Sequence, residues 1–344
     1  MTEITRVAID TSKAVFTIHA VDARDRPVLR RNLRRHEVAA FFGKLSAADI
    51  AIEACGASQH WARTLQALGH RVRLIPAQYV KPFVKRGKND RNDAEAISEA
   101  AARPGMRFVP VKLAQRQAEV MLLGVRELLV GQRTQLANAL RGHAAEFGLV
   151  APLGHKGLAQ VQAEAAQDAA LPGPAREGLA LLGGEIDRLD ARLAGIDKTL
   201  AAQHKATPAS QRLAEVPGIG PVGALSLVLA VDATQFQSGR HFAAWLGLTP
   251  RDHSTGGKQR LGGISRAGNE RLRQLLVLGA TAVIRHAKPG NPKASPWLLA
   301  LLERRPRKLA AVALANKMAR IALDMMTSGA AYRQPKLAAA ATAA

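Results

Sequence analysis

The chain has 344 residues, 47% of them hydrophobic, one cysteine and a formal net charge of +22 at pH 7. This apolar fraction supports packed cores and excludes wholesale disorder, and the length allows two or three domains. The sequence has no run of about 18 apolar residues and no secretory leader pattern, and a lone cysteine excludes an internal disulfide or a cysteine zinc site. The expectation is a cytoplasmic protein with no membrane partner, acting on a polyanion.

In chain order, residues 4–10, 14–22 and 27–33 read as three strands separated by short polar turns. A helix near 35–45, a strand at 49–54, a helix at 58–68 and a strand at 71–75 follow. A further helix opens near Asp90 and runs to about Ala102, where Arg103-Pro104-Gly105 stops it. Three strands in meander, then alternating helices and strands, is the order of an RNase H-like α/β domain. Asp10 closes the apolar run Val7-Ala8-Ile9, and Glu53 closes Ile50-Ala51-Ile52. Asp90 and Asp93 lie three apart in the first turns of the helix, so they share a face. Strand ends converging on a helix start gather carboxylates from distant positions, and clustered carboxylates need a cation. Oxygen-only ligands suit Mg²⁺ (or Mn²⁺), and such a site on a basic protein points to phosphodiester chemistry. Cys55, just after Glu53, reads as a small buried thiol.

Residues 112–147 form a long helical segment. After a Gly/Pro-interrupted stretch from Pro152 to Pro174, a second helix runs from about Ala175 to Lys205. Its Leu179, Leu182, Ile186, Leu189, Leu193, Ile196 and Leu200 alternate in steps of three and four, a heptad seam. The earlier helix has a weaker seam through Leu122, Val125, Leu129 and Leu136. An antiparallel hairpin of the two helices, or pairing with another protomer, would satisfy both. Net charge is +8 over residues 1–110, zero over 111–239 and +14 over 240–344, so nucleic acid is expected at the two ends and protein contacts in the neutral middle.

Beyond residue 210, Val216-Pro217-Gly218-Ile219-Gly220-Pro221-Val222-Gly223 spells G-x-G-x-x-G, but a helical pattern precedes it and prolines flank it. A helix-hairpin-helix, with Gly218 and Gly220 exposing backbone N–H groups to a phosphate, fits better than a dinucleotide fingerprint. A plain turn between helices is the alternative. The stretch Gly247 to Asn269 is rich in glycine, and Arg251, Lys258, Arg260 and Arg266 offer charge to phosphates. A hydroxyl in this loop could be a nucleophile or could merely cap a turn. No Walker A sequence supports nucleotide hydrolysis. A strong helix runs from Glu270 to His286.

Taken together, Ala8-Ile9-Asp10-Thr11-Ser12-Lys13, Ile52-Glu53-Ala54, Asn89-Asp90-Arg91-Asn92-Asp93-Ala94, Val216-Pro217-Gly218-Ile219-Gly220 and Ser254-Thr255-Gly256-Gly257-Lys258 resemble the DEDD transposases of the Piv/MooV type. These are insertion-sequence proteins, also described as bridge-RNA-guided recombinases. The resemblance spans roughly residues 4–330 with its motifs in order. It implies a RuvC-like metal-dependent domain over 1–111, a coiled-coil helical spacer over 112–207, a mainly α transposase domain with the helix-hairpin-helix and the serine loop over 208–330, and a disordered tail over 331–344. It further implies that Asp10, Glu53, Asp90 and Asp93 form a catalytic metal tetrad, and that Ser254, from the family's Ser-x-Gly motif, is the nucleophile. Donor and target DNA, a noncoding guide RNA, a dimeric or tetrameric assembly and action at the nucleoid are implied with it. Two rivals stand beside this reading. A Holliday-junction-type nuclease would work through metal and water with no use for the serine loop, and a non-catalytic DNA-binding protein would have no use for the acids.

Overall fold

The computed structural model describes residues 4–85, 90–288, 290–291 and 294–333, so Lys88, Asn89 and most of the expected tail lie outside the described residues. The chain divides into two compact units, Met1–Gln117 and Ala118–Ala344. The first is a mixed α/β unit and the second is mainly helical.

The first unit is built on strands β1 (Arg6–Thr11), β2 (Val15–Val21), β3 (Pro27–Arg34), β4 (Asp49–Ala54) and β5 (Arg71–Pro76), with helices α1 (Val38–Phe42), α2 (Ser58–Ala67), α3 (Ala77–Val80) and α4 (Asp90–Ala102). The strand order is β3-β2-β1-β4-β5. β1 pairs antiparallel with β2, and β2 with β3, whereas β1–β4 and β4–β5 are parallel. The alternation of side chains along each strand divides the sheet into two faces. Val7, Ile9, Ile50 and Ile52 join Phe16, Ile18, Phe42, Trp61 and Leu65 under α1 and α2. The intervening Ala8 and Ala51 face the other way, where they pack with Ala96, Ile97, Ala100 and Ala101 of α4. Alanine on both sides of this contact lets α4 lie close against the sheet. The helix expected over 35–45 is reduced to the five residues of α1.

The second unit contains most of α5 (Ala114–Ala145), then α6 (His155–Gln167), α7 (Gly173–Ala206), α8 (Pro208–Ala214), α9 (Pro221–Ala230), α10 (Gly239–Trp245), β6 (Pro250–Asp252), β7 (Leu261–Ile264), α11 (Glu270–His286), α12 (Pro296–Arg304) and α13 (Arg307–Ser328). Arg126 of α5 pairs with Asp197 of α7, and Arg133 pairs with Asp190, so the two long helices run antiparallel. Leu179, Ile186, Leu189, Leu193 and Leu200 are buried, as the heptad spacing requires. The seam read on α5 is displaced: Val125 is exposed, and Leu123, Leu140 and Ala144 are buried instead. The cause is a divided partnership. Leu123 packs with Leu200, Leu225 and Leu229, whereas Leu140 and Ala144 pack with α6 and α7, and the paired arginines occupy the middle. α6 itself lies within the stretch read as interrupted, because Leu158, Val161 and Ala165 recur at helical spacing and bury against α7.

The C-terminal core centres on α13, whose Ala310, Ala315, Ala319 and Ala322 pack with Phe242, Leu246, Leu272 and Leu276. The turn before α9 meets α11 at a pair of glycines. A Cβ on Gly279 would overlap the carbonyl of Gly218, and one on Gly218 would lie 2.8 Å from the Met318 methyl. Gly279→Ala is therefore expected to cost about 1–3 kcal/mol through overpacking. Gly131→Ala, in the exposed middle of α5 with no atom within 4 Å of the new methyl, should stabilise by up to about 1 kcal/mol. Thermal or denaturant unfolding checks both signs, and an unharmed Gly279→Ala variant would refute the glycine contact.

Candidate active site

Three acids meet at the end of the parallel strands. The register pairs Ile9 with Ile52, so Asp10 and Glu53 follow side by side, on the face that carries Ala8 and Ala51. The same face carries α4, whose first turn holds Asp90 and Asp93. Carboxylate oxygens of Asp10, Asp90 and Asp93 all lie within 4.8 Å of one another. Glu53 falls outside this tight group, yet its charge acts on Asp10 and Asp93 acts on it, so it stands close by. Asp90 is exposed, whereas Asp10, Glu53 and Asp93 are half-buried.

The electrostatics are those of crowded, partly buried carboxylates. Burial, then the charges of Asp93, Asp90 and Glu53, pushes Asp10 up to about 6 from 3.8, against a lowering bond from the Thr11 backbone. Burial, then Asp93, raises Glu53 as well. A divalent cation relieves this repulsion, and an oxygen-only donor set of this size fits a hard ion such as Mg²⁺ or Mn²⁺. Cys55 is exposed rather than buried, because β4 ends at Ala54 and the thiol sits in the following turn. Its sulfur is 3.2 Å from the Thr11 hydroxyl.

Beside the acids, a pocket of about 240 Å³ is lined by Thr17, His19, Arg30, Asn32, Asp90 and Arg91, among others. Of its polar lining, only Asp90 is a site residue expected from the sequence. The available signal was the register, which pairs His19 with Arg30 and Thr17 with Asn32. Burial, then Arg30, lowers the His19 pKa, and among the described residues its enclosed Nδ1 has no hydrogen-bond partner.

The serine stretch, read as a loop, is a β-hairpin. Its tip is a tight turn in which Thr255 and Lys258 exchange backbone bonds, with Gly256 at φ 56° and Gly257 at φ 76°. Both values favour glycine and make the turn of the primed kind common in hairpins. The root is held by Ser265 N–H donating to the Thr249 carbonyl at 2.8 Å. The buried Arg273 donates to the carbonyls of Leu246 and Ala267 at 3.1 and 2.8 Å. Ser254 lies on the arm leading to the turn. Its hydroxyl donates to Asp252 Oδ1 and accepts the Arg260 N–H at 2.9 Å. Arg251, Lys258, Arg260 and Arg266 are all exposed, and among the described residues none of the four forms an ion pair. Of the glycines expected to offer N–H groups to phosphate, Gly220 is exposed at the start of α9, whereas Gly218 is packed against Gly279. The acids belong to the first compact unit, and Ser254 to the second.

Two family models match the chain. The family model for IS110-type DEDD transposases matches residues 7–147, and the model described as "Transposase IS116/IS110/IS902 family" matches 210–294. The chain is 52% identical over 337 residues to "Putative transposase y4pF/y4sB" of Sinorhizobium fredii, covering 96% of this chain and 86% of that protein. It is 39% identical to the transposase for insertion sequence element IS1111A of Coxiella burnetii, covering 97% of this chain and 92% of the relative. It is 35% identical to the transposase for element IS1328 of Yersinia enterocolitica, covering 96% and 99%. The chain belongs to the IS110/IS116 family of insertion-sequence transposases. It is therefore an enzyme of DNA strand cleavage and rejoining. Among the described residues, no helix of this transposase is long and apolar enough to cross a membrane.

The perturbed Asp10 makes the acid cluster pH-sensitive. Below pH 6 its proton competes with a cation, so Mn²⁺ affinity should climb as pH rises through 6 and level off near about 7. In the metal-free protein the sign is opposite for stability. A carboxyl raised from 3.8 to about 6 contributes stability at low pH that is lost as pH rises through 6. Titration of Mn²⁺ by calorimetry and unfolding curves at several pH values check both. An affinity independent of pH between 5 and about 7 would contradict the assignment.

Proposed function

We propose that this transposase is a recombinase of the Piv/MooV type, in which Ser254 attacks a DNA phosphodiester with the help of a Mg²⁺ site built from Asp10, Glu53, Asp90 and Asp93. The observation that carries the metal half is the convergence of three carboxylates within 4.8 Å, with Asp10 held protonated up to about pH 6. The sheet order, with its antiparallel first three strands and parallel remainder, supports a RuvC-like, RNase H-like reading of the first domain, taken as residues 1–111. A helical spacer over 112–207 and a transposase domain over 208–330 complete the proposed organisation.

When bound, the metal would polarise the scissile phosphate and stabilise charge on the departing oxygen. Asp10, Asp90 and Asp93 would hold it, with Glu53 as the adjoining fourth acid. Ser254 would form a phosphoserine link that keeps the bond energy for rejoining. Arg251, Lys258 and Arg260 would hold the phosphate backbone, and Arg266 would anchor the strand at the hairpin root. Gly220, at the exposed start of α9, is the better of the two glycines for a helix-hairpin-helix contact. A noncoding guide RNA and a dimeric or tetrameric synapse belong to this reading through the family resemblance. The +22 charge supports a polyanionic partner without choosing between DNA and RNA.

The test is covalent trapping. A labelled duplex covering an end of the element is incubated with Mg²⁺, with and without RNA transcribed from the element's noncoding flank, and resolved on a denaturing gel. The wild-type protein should carry DNA on Ser254, located by mapping of the modified peptide. Ser254→Ala should bind nucleic acid without forming the adduct, while Thr255→Ala and Ser265→Ala still form it. Asp93→Asn should lower strand cleavage by about a hundredfold or more, in line with loss of a metal-held charge. Cleavage with no adduct would assign the chemistry to water at the metal, as in a Holliday-junction-type nuclease. Binding without cleavage under all conditions would leave a DNA-binding protein.

A further inference from the structure

A serine hydroxyl is a poor nucleophile until its proton has somewhere to go and its lone pair has a direction. The surroundings of Ser254 supply both. The hydroxyl has one hydrogen to donate and two lone pairs to offer. The hydrogen points to Oδ1 of Asp252, and one lone pair is taken by the Arg260 N–H at 2.9 Å. The Ser254 N–H donates to the same Asp252 oxygen at 2.9 Å, which fixes the carboxylate relative to the hydroxyl it serves. Among the described residues, nothing takes the other lone pair. The neighbouring hydroxyls lack this arrangement. Ser265 Oγ accepts the Ala267 N–H at 3.4 Å, and among the described residues neither it nor Thr255 meets a carboxylate.

We propose that Asp252 is the proton acceptor for Ser254, and that Asp252 with the Arg260 amide aims the remaining lone pair at phosphorus. This rests on Ser254 being the nucleophile. In the forward step the lone pair of Oγ forms the bond to phosphorus while the hydroxyl proton passes to the Asp252 carboxylate. The bond from phosphorus to the sugar oxygen breaks, its electron pair leaves on that oxygen, and the oxygen takes a proton from water. Asp252 then returns its proton to the hydroxide formed, so no net proton is gained or lost. Rejoining is the reverse: a sugar hydroxyl attacks the phosphoserine, and Oγ departs and recovers its proton through Asp252. No oxidant or further co-reactant is needed. A carboxylate is a weak base, so the transfer occurs late, once bonding to phosphorus has acidified the hydroxyl.

The experiment follows adduct formation by the full chain on a labelled duplex covering the element's end, with Mg²⁺ and the flank RNA, between pH 7 and 9. Asp252→Asn should slow the adduct by about a hundredfold at pH 7.5, within the usual range for loss of a general base. Binding of the same duplex, read by fluorescence anisotropy, should stay within a few fold. The slope separates proton transfer from positioning. The wild-type rate should be nearly flat above pH 7, while the Asp252→Asn rate should rise about tenfold per unit as hydroxide replaces the missing base. Asp252→Glu, which keeps the carboxylate, should recover part of the rate and the flat profile. An Asp252→Asn rate within threefold of wild type, or a profile lowered in parallel at every pH, would overturn the proton-acceptor role. An adduct that persists in Ser254→Ala would instead overturn the nucleophile assignment on which it rests.

Discussion

The contact on which the candidate metal site depends is the packing of α4 against Ala8 and Ala51. These two alanines sit next to each other on parallel strands, and α4 meets them with Ala96, Ile97, Ala100 and Ala101. Side chains this small let the helix lie low on the sheet. One pleat further along each strand, the same face carries Asp10 and Glu53, while the helix start brings Asp90 and Asp93. A larger residue at position 8 or 51 would lift the helix and separate its acids from the strand ends. Burial first, and then repulsion from Asp93, Asp90 and Glu53, raises the Asp10 pKa to about 6, and the apolar contact beneath holds the acids together despite that repulsion.

The second unit solves a different problem, the presentation of an exposed hydroxyl on a rigid support. The hairpin tip is free of the core, but its root is tied to α11 through Arg273 and to α13 through Asn316, which donates to the Leu248 carbonyl at 3.3 Å. Gly268 is required where the chain passes the Trp245 carbonyl, since a Cβ there would overlap it at φ 67°. In the neutral middle, Arg126 and Arg133 of α5 pair with Asp197 and Asp190 of α7, whereas among the described residues the four cations of the hairpin form no ion pair. Charge left unpaired on an exposed hairpin is available to a phosphate backbone.

Much of this was legible in the sequence, for physical reasons that name particular residues. The strands and their terminal acids stood out because Val7-Ala8-Ile9 and Ile50-Ala51-Ile52 each end abruptly on a carboxylate. α7 declared itself through its heptad spacing, as buried Leu179, Ile186, Leu193 and Leu200 attest. The looser position of Glu53 was not legible, since residue spacing says nothing of how far a side chain reaches. The serine hairpin looks like a loop in sequence because two short strands around Gly256-Gly257 carry no alternation of apolar residues. Gly218 has two readings in sequence, a phosphate-binding helix-hairpin-helix or a plain turn between helices, and neither anticipates its close contact with Gly279 of α11. Asp252 carries a usable sequence signal: an aspartate two residues before a serine is spaced for its carboxylate to meet the serine N–H. The buried His19 needed the β2–β3 register before it could be placed beside the acids.

The most direct measurement is the position of a bound cation. Crystals of the full chain grown near neutral pH and soaked in Mn²⁺ would be examined by anomalous scattering at the manganese edge. The account predicts one strong peak in the first unit, coordinated by oxygens of Asp10, Asp90 and Asp93, and lost in crystals of Asp10→Asn. A peak held by other residues, or no peak among these acids at saturating Mn²⁺, would contradict it.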